Sequence, residues 1–452
     1  MTLSTDELVD LARKHLWLHM APQTGDAMTV IERGEGCYLW DTEGRRYLDG
    51  LAGLFTVNVG HGRADIAAAA TAQAGDLAYF PIWSNAHPRA IELAARLCDL
   101  APDNLNRVFF TSGGSEAVDT AWKLARNHFK AIGQPQRTKV VARHYAYHGT
   151  TMGALSITGV PEIRNQFEPL IPGVFHAQPA YPYRCAFCDN ACSLQCANDI
   201  ERIVLAEGPE TIAAVFVEPV QNTGGSLVPP EGYMQRVREI CDEHGILLVS
   251  DEVICAFGRV GAWFGAQRFD YEADILTFAK GVTSGYAPLG GALVSDRVAE
   301  PFLDGRADFL HGFTFGGHPV SCAVALANLD VMEREDLPGR VRDNEALFRS
   351  ELDALSDIPI VGDIRGIGYF YSIELVRNRA TREHLSEREC REVLKGFVGP
   401  RLLDLGLICR ADDRAEPVVV LSPPLVAGPD EFAEIGRALR TALSEAAERI
   451  AS

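Results

Sequence analysis

Long apolar runs and an excess of positive charge are both missing from this sequence. No uninterrupted apolar stretch reaches the length of about 20 residues that a membrane-spanning helix needs. The 42 Lys and Arg residues are outnumbered by 61 Asp and Glu residues, so the net charge is −19 at pH 7, and such a chain has no general affinity for nucleic acids or anionic membranes. The start, MTLSTDELVDLARKHLW, carries charges where a signal peptide is continuously apolar. We therefore predict a cytoplasmic protein without nucleic-acid or membrane partners.

Repeats of solenoid period and low-complexity linkers are also absent, and no Gly-x-Gly-x-x-Gly motif follows a strand-like segment. The missing glycine motif argues against a nicotinamide-dependent enzyme. A chain of 452 residues exceeds what one hydrophobic core usually organises, so we expect a large domain and a smaller one.

Short apolar segments alternate with amphipathic segments through the middle of the chain: NRVFFTSGG and SEAVDTAWKLARNHFK are followed by KVVARHYAYHG, AAVFVEPV, ILLVSDEV and ADILTFAKG. This alternation predicts an α/β domain with a mostly parallel sheet. Later, helical segments flank GYFYSIEL and PVVVLSPPL, which favours a small α+β domain, and GCYLWDTEGRRYLDG near the start predicts a hairpin. We expect a large domain over 61–330 and a small domain over 331–452, to which residues 1–60 contribute.

Most of the eleven cysteines occur singly in apolar or mixed surroundings. The exception is YRCAFCDNACSLQCAND, which contains Cys185, Cys188, Cys192 and Cys196. This spacing could bind zinc or an iron–sulfur cluster. The last three are also at helical spacing and could instead lie on one face of a packed helix. We interpret 183–200 as an insertion outside the catalytic centre; no metal is predicted at that centre, and metal binding at the insertion stays open.

The segment ADILTFAKGVTSGYAPLGG places Lys280 directly after an apolar run. The run predicts a buried strand, so the amine would stand at the carboxyl edge of the sheet, where ligands of α/β proteins bind. A lysine that merely reaches water is one interpretation. The other is a partly desolvated amine with a lowered pKa, which can form a Schiff base with a carbonyl.

The segment FFTSGGSEAVDTAWKLAR places two glycines and three hydroxyl residues between a strand and a helix. Gly113 and Gly114 would let backbone amides close on an anion, and the helix dipole would add positive potential, so the segment predicts a phosphate site. A helix N-terminus capped by Ser112 or Ser115 is the alternative.

The segment GILLVSDEVICAFGR ends another predicted strand at Asp251. A carboxylate there could cap the next element, or could hold a pyridine nitrogen protonated through a charge-assisted hydrogen bond. Val253, two residues on, could pack under a flat ring.

Two segments, SDEVICAFGRVGAWFG and ILTFAKGVTSGYAPLGG, together resemble the signature of class III, or ω-type, aminotransferases, which are pyridoxal phosphate enzymes of fold type I. GGSEAVDTAWKLAR, RHYAYHGTT, VEPVQNTGG and HGFTFGGHP resemble the other blocks of that family in the same order. The resemblance implies a large domain with a mostly parallel seven-stranded sheet, a small α+β domain, and a homodimer with active sites at its interface, with tetramer formation left open. It also implies ping-pong transfer of an amino group from an amine or ω-amino acid to a keto acid such as pyruvate.

By this resemblance, Lys280 holds pyridoxal phosphate covalently and then serves as the general acid and base. Asp251 would pair with the pyridine nitrogen, while Val253 and Tyr147 cover the two faces of the ring. We interpret His148 as structural.

The resemblance also implies residues around the rest of the cofactor. Glu218 and Gln221 would lie near the phenolic oxygen and the pocket wall. The phosphate would be bound by Ser112, Gly113, Gly114 and the partner subunit's Thr314.

For the substrate, the resemblance implies that Arg410 clamps a carboxylate. Trp17, Met20, Phe55 and Trp83 fall where the family lines its substrate pocket, which suggests a donor with an apolar or extended chain. Several relatives carry Trp where this chain has Phe55, so the pocket is expected to be roomier.

Two other classes of function remain as alternatives. An aminomutase or racemase on the same scaffold would consume no second substrate. A metal-dependent binding module built on the cysteine-rich segment would leave the rest of the chain as a silent scaffold, but the presence of both Lys280 and Asp251 argues against a catalytically silent chain.

Overall fold

A computed structural model describes residues 3–20, 28–188 and 192–451. The predicted N-terminal segment and cysteine-rich insertion therefore fall partly outside the described residues, at 1–2, 21–27 and 189–191.

The strands are β1 (Ile31–Glu35), β2 (Tyr38–Asp41), β3 (Arg46–Asp49), β4 (Leu105–Thr111), β5 (Lys139–Arg143), β6 (Val174–Ala177), β7 (Ile212–Val217), β8 (Leu247–Asp251), β9 (Ile275–Phe278), β10 (Gly290–Ser295), β11 (Val361–Ile367), β12 (Phe370–Asn378), β13 (Glu383–His384), β14 (Leu407–Ile408), β15 (Arg410–Asp412) and β16 (Val418–Leu421).

The α-helices are α1 (Thr5–His15), α2 (Ala52–Phe55), α3 (Ala64–Asp76), α4 (Pro88–Leu100), α5 (Gly114–Ala131), α6 (Met152–Ile157), α7 (Pro161–Arg164), α8 (Gln195–Glu207), α9 (Tyr233–Glu243), α10 (Gly265–Arg268), α11 (Asp296–Leu303), α12 (Pro319–Arg334), α13 (Leu337–Asp353), α14 (Glu387–Glu389), α15 (Gly399–Asp404) and α16 (Pro429–Ala451). Short 3-10 turns span Pro182–Arg184, Pro209–Thr211, Lys280–Val282 and Ala354–Asp357, and a π-helix spans Cys390–Val398. None of the helices in the described ranges is both long and apolar enough to cross a membrane.

A seven-stranded sheet organises the middle of the chain, in the order β4-β10-β9-β8-β7-β5-β6. The strands from β9 to β6 run parallel, and β10 is antiparallel to both of its neighbours. The mostly parallel seven-stranded sheet that the resemblance implied is therefore confirmed. Because the carboxyl ends of the parallel strands meet at one edge, the residues that follow them are brought together.

Helices cover both faces of this sheet, and side chains along a strand alternate between them. On β7, Val215 and Val217 join a core with α8 and α9, whereas Ala214 and Phe216 join a second core with α5. These strands are buried on both faces, which explains their continuous apolar runs.

The C-terminal part forms a second sheet, in the order β11-β12-β16-β15, with β13 paired to β12. Phe348 of α13 packs on Tyr371 of β12 with ring centroids 5.3 Å apart, and on Phe432 of α16 with ring centroids 4.6 Å apart. The predicted N-terminal hairpin is present as β2 and β3, and β3 pairs in parallel with β14. A strand from residues 1–60 thus joins one from the C-terminal part, while the exact domain boundaries stay a prediction.

Candidate active site

A cavity of about 450 Å³ opens where the parallel strands end. It is lined by eight of the residues singled out from the sequence: Ser112, Gly113, Gly114, Tyr147, Glu218, Asp251, Val253 and Lys280. The strand-end residues of β7, β8 and β9 and the start of α5 therefore face one space.

Lys280 opens a 3-10 turn two residues after β9 ends at Phe278. Its backbone has φ = 46°, the left-handed region that non-glycine residues rarely adopt. Desolvation lowers the pKa of its amine to about 8, although the carboxylates of Asp251 and Glu218 partly oppose this. The structure thus supports the interpretation of Lys280 as a desolvated amine.

The carboxylate of Asp251, at the end of β8, is held by three groups. Its Oδ2 lies 2.7 Å from His148 Nδ1, while Oδ1 accepts hydrogen bonds from Thr277 Oγ1 (3.1 Å) and from the backbone N–H of Val253 (3.2 Å). These contacts fix the orientation of the carboxylate at the cavity wall.

His148 is more than the structural residue that we predicted. It is buried, lines the cavity and makes the short contact to Asp251, so it positions the carboxylate. In the sequence, His148 follows β5 by a few residues, which places it at the same sheet edge as Asp251. Histidines are common beside strand ends, so this position alone did not predict the contact.

The glycine segment begins α5 without a side-chain cap. The N-cap is Gly113, and neither Ser112 nor Ser115 caps the helix, so the capping alternative is wrong. A side chain at Gly113 would meet no atom within 4 Å, whereas one at Gly114 would come within 2.9 Å of Val253. The first N–H groups of a helix have no intrahelical acceptor and carry partial positive charge, so this open corner suits an anion.

Glu218 lies in the cavity wall and contacts the backbone of two loops. Its carboxylate accepts hydrogen bonds from the backbone N–H groups of Tyr147 (2.7 Å) and Asn222 (3.0 Å), and burial raises its pKa. Gln221 is not among the cavity-lining residues; its Nε2 donates to the carbonyl of His144, and its buried Oε1 has no hydrogen-bond partner among the described residues.

Arg410 begins β15 in the small domain and is not among the residues that line the cavity. Its guanidinium donates to Asn222 Oδ1 (2.9 Å), lies 3.3 Å from Asp412 Oδ2, and stands 5.1 Å over the ring of Phe55. Desolvation lowers its pKa to about 10. Arg410 also opposes protonation of Lys280, so the two cations lie within electrostatic range of each other.

Besides Phe55 and Arg410, which do not line this cavity either, four further residues of the predicted site stand outside it. Trp17, Met20 and Trp83 are 78%, 65% and 71% exposed, and Thr314 is also exposed, with its carbonyl accepting from Tyr79 Oη. None of the four belongs to the wall of the cavity on its own chain.

The groups around the cavity fit a flat aldehyde that carries a phosphate. An amine able to be neutral stands beside a fixed carboxylate, and the open corner at Gly113 offers helix N–H groups for an anion. The fold and the site together define a fold type I enzyme, and pyridoxal phosphate is its cofactor.

Comparison with known proteins gives the family. The family description "Aminotransferase class-III" matches residues 19–443, and the chain belongs to that family. The Mycobacterium tuberculosis protein named "Probable aminotransferase Rv3329" is 52% identical over 441 residues, covering 97% of this chain and 94% of its own.

Two more relatives agree. The putrescine–pyruvate aminotransferase of Pseudomonas aeruginosa is 37% identical, covering 99% of this chain and 98% of its own. The crystal structure of an (S)-enantioselective ω-transaminase from Thermomicrobium roseum superimposes with a TM-score of 0.93 at 41% identity, over 99% of this chain and 100% of that one. The protein is therefore an aminotransferase that acts on a small amine donor and a keto acid acceptor, as predicted.

Proposed function

We propose that this enzyme moves an amino group from a donor with an apolar or extended chain to pyruvate, with Lys280 as the catalytic acid and base. The observation that carries the proposal is the Lys280 amine, whose pKa is lowered to about 8 in a cavity that it shares with Asp251. An amine with this pKa can change protonation state near neutral pH, which proton transfer requires.

When bound, pyridoxal phosphate supplies an electron sink and carries the amino group between the two substrates. Lys280 removes the proton from the carbon that bears the amino group and delivers it again. Asp251, oriented by His148 and Thr277, keeps a fixed negative charge where a protonated ring nitrogen would stand. Val253 and Tyr147 would enclose a ring from two sides.

The rest of the binding machinery follows the same pattern. We propose that Ser112, Gly113 and Gly114 hold the phosphate at the start of α5. Glu218 fixes the backbone that carries Tyr147, and we keep Gln221 as a prediction for the phenolic oxygen.

The donor and acceptor are inferred from the cavity and from the relatives. Val220, Val253, Ile254 and Leu289 give the cavity an apolar side, which suits the aromatic or methylene part of a donor. One relative is named for putrescine and pyruvate. An aminomutase or racemase would need no acceptor, so a stoichiometric requirement for pyruvate separates these functions.

A panel of amines tests this proposal. The donors β-alanine, 4-aminobutyrate, taurine, putrescine and 1-phenylethylamine are each paired with pyruvate and with 2-oxoglutarate, and alanine or glutamate formation is measured. We expect alanine to form, with the highest kcat/KM for putrescine or 1-phenylethylamine. Conversion of more than one donor molecule per active site without any keto acid would contradict an aminotransferase.

Replacing Arg410 with alanine should weaken the use of pyruvate. Loss of a charge-assisted hydrogen bond to the carboxylate should cost about 1.5 to 3 kcal/mol of transition-state stabilisation. This cost corresponds to a decrease of about 10-fold to 150-fold in kcat/KM for pyruvate. Single-turnover reaction with 1-phenylethylamine, which has no carboxylate, should change far less. Arg401→Ala is the matched control, because Arg401 pairs with Glu445 away from the cavity. Unchanged pyruvate kinetics would remove Arg410 from the site.

The lowered pKa of Lys280 predicts how fast the apoenzyme captures its cofactor as pH changes. Only the neutral amine attacks an aldehyde, so the capture rate should rise about tenfold per pH unit below about 8 and level off above it. For an ordinary lysine, with a pKa of 10.5, the rise would continue to that pH. The capture rate is measured by stopped-flow mixing of apoenzyme with pyridoxal phosphate at a series of pH values, with Nα-acetyl-lysine as the reference amine. A rate still rising above pH 9 would contradict the proposed environment of Lys280.

We also propose the homodimer, with the partner subunit's Thr314 completing the phosphate site. Thr314 is exposed and away from the cavity of its own chain. Large apolar side chains are exposed as well: Leu310 and Phe315, which are near it in sequence, and Trp83, which lies beside Gly312. Light scattering at micromolar concentration should give the mass of two chains, or of four if dimers pair. The cytoplasmic location stays a prediction.

A further inference from the structure

The four cysteines of the cysteine-rich insertion lie on two turns and not along one helix. Cys185 and Cys188 follow the 3-10 turn Pro182–Arg184, whereas Cys192 precedes α8 and Cys196 is the second residue of that helix. The interpretation that three of them share one face of a helix is therefore wrong, because the helix begins only at Gln195. Two pairs of cysteines on separate turns are what a zinc site draws on.

Two of the sulfur atoms accept backbone hydrogen bonds. The N–H of Ser193 points to Cys188 Sγ at 3.5 Å, and the N–H of Leu194 points to Cys192 Sγ at 3.5 Å. The hydroxyl of Ser193 is also 3.3 Å from Cys188 Sγ. Donors aimed at a sulfur atom favour the thiolate, the form that binds metals.

The four thiols also act on one another. The side chain of Cys188 interacts with those of both Cys185 and Cys192. Cys196 lies within electrostatic range of Cys192 and Cys185. A divalent cation would compensate the charge of four thiolates gathered in one place.

Both turns are anchored to the rest of the protein. Arg184 Nε lies 2.7 Å from Glu374 Oε1 of the small domain. Cys196 is buried in the core that α8 shares with the sheet, beside Ala197 and Ile200. An ion held between the turns would tie this contact with the small domain to the large-domain core.

We propose that Cys185, Cys188, Cys192 and Cys196 bind one Zn²⁺ as a structural site with four thiolate ligands. Zinc suits a closed tetrahedral set of thiolates, with Zn–S distances of about 2.3 Å. No three of the sulfur atoms yet lie all within 4.8 Å of one another among the described residues, so the ion would draw the two turns together and release the thiol protons. None of the four lines the cofactor cavity.

Metal analysis of the purified holoenzyme tests the site. After passage over a chelating resin, mass spectrometry of the metals should find about one zinc per chain and negligible iron. Cys188→Ser and Cys192→Ser should each lower the zinc content to less than about one tenth of that value, since a three-ligand remnant binds weakly. Cys98→Ser is the matched control, because Cys98 is a partly buried thiol on α4, outside the insertion, and it should keep its zinc.

A second measurement uses no cysteine variant, so it tests the proposal even if those variants do not fold. Titration of the unmodified holoenzyme with a mercurial should release zinc to a chromophoric chelator as the cysteines react. Three outcomes overturn the proposal: iron with acid-labile sulfide in place of zinc, a disulfide seen as the loss of two hydrogens per bridge, or reduced protein that takes up no added zinc. None of these readouts uses amino transfer, so this proposal and the proposed function fail independently.

Discussion

Replacing Lys280 with alanine should reduce kcat/KM for amino transfer by at least about 10⁴-fold, which corresponds to roughly 5 kcal/mol or more of lost transition-state stabilisation. By the proposed assignment, the variant loses both the covalent tether of the cofactor and the group that moves the proton. No other amine lines the cavity among the described residues, so no neighbouring lysine can replace it.

The measurement has a chemical readout besides activity. Borohydride reduction followed by peptide mapping should find a pyridoxyl group on Lys280 in the unmodified enzyme and none in Lys280→Ala. Lys139→Ala is the control, since Lys139 pairs with Glu207 at the far end of β5, and it should keep both the label and the activity. A purified protein that is colourless after incubation with pyridoxal phosphate and removal of the unbound cofactor, with no label at Lys280, would contradict the assignment.

Replacing Asp251 with asparagine should have the second largest effect, a loss of about 10³-fold in kcat/KM, or roughly 4 kcal/mol. Asparagine keeps the shape of the side chain but removes the negative charge that, in the proposed role, holds a ring nitrogen protonated. The contacts with His148, Thr277 and Val253 would reorient the amide without restoring that charge. The electron sink would therefore weaken while cofactor binding persists.

Single-turnover rates for each half-reaction, together with the absorbance spectrum of the bound cofactor, distinguish this effect from unfolding. We expect the covalent link to Lys280 to form and both half-reactions to slow. Asp270→Asn is the control, because Asp270 is exposed and its left-handed backbone (φ = 51°) suits asparagine. Full activity of Asp251→Asn would show that the carboxylate does not serve a cofactor nitrogen.

The strands that end at the site could be predicted from the sequence. ILLVSDEV predicted a strand that ends in an acid, and β8 does end at Asp251. ADILTFAKG predicted a buried strand just before Lys280, and β9 ends two residues earlier. Such strands can be recognised because both of their faces are buried, so the apolar run is continuous.

The sequence was less informative where several elements meet. His148 looked structural because its role depends on Asp251, which is 103 residues away. The spacing of the cysteines was also compatible with one helix, but α8 begins only at Gln195. Trp17 and Trp83 stay predictions for the substrate pocket, since both are exposed on the single chain.

The amino-acid sequence alone indicated the strands of the parallel sheet, because each strand is a local apolar run, and its separated motifs indicated the family. The roles of Lys280 and Asp251 stay predictions. The tertiary structure decided which groups surround each charge: the desolvation that lowers the pKa of Lys280, the contacts that orient Asp251, and the placement of four thiols on two turns. The physical reason is that desolvation and hydrogen bonding are set by neighbours distant in sequence, which no local pattern encodes.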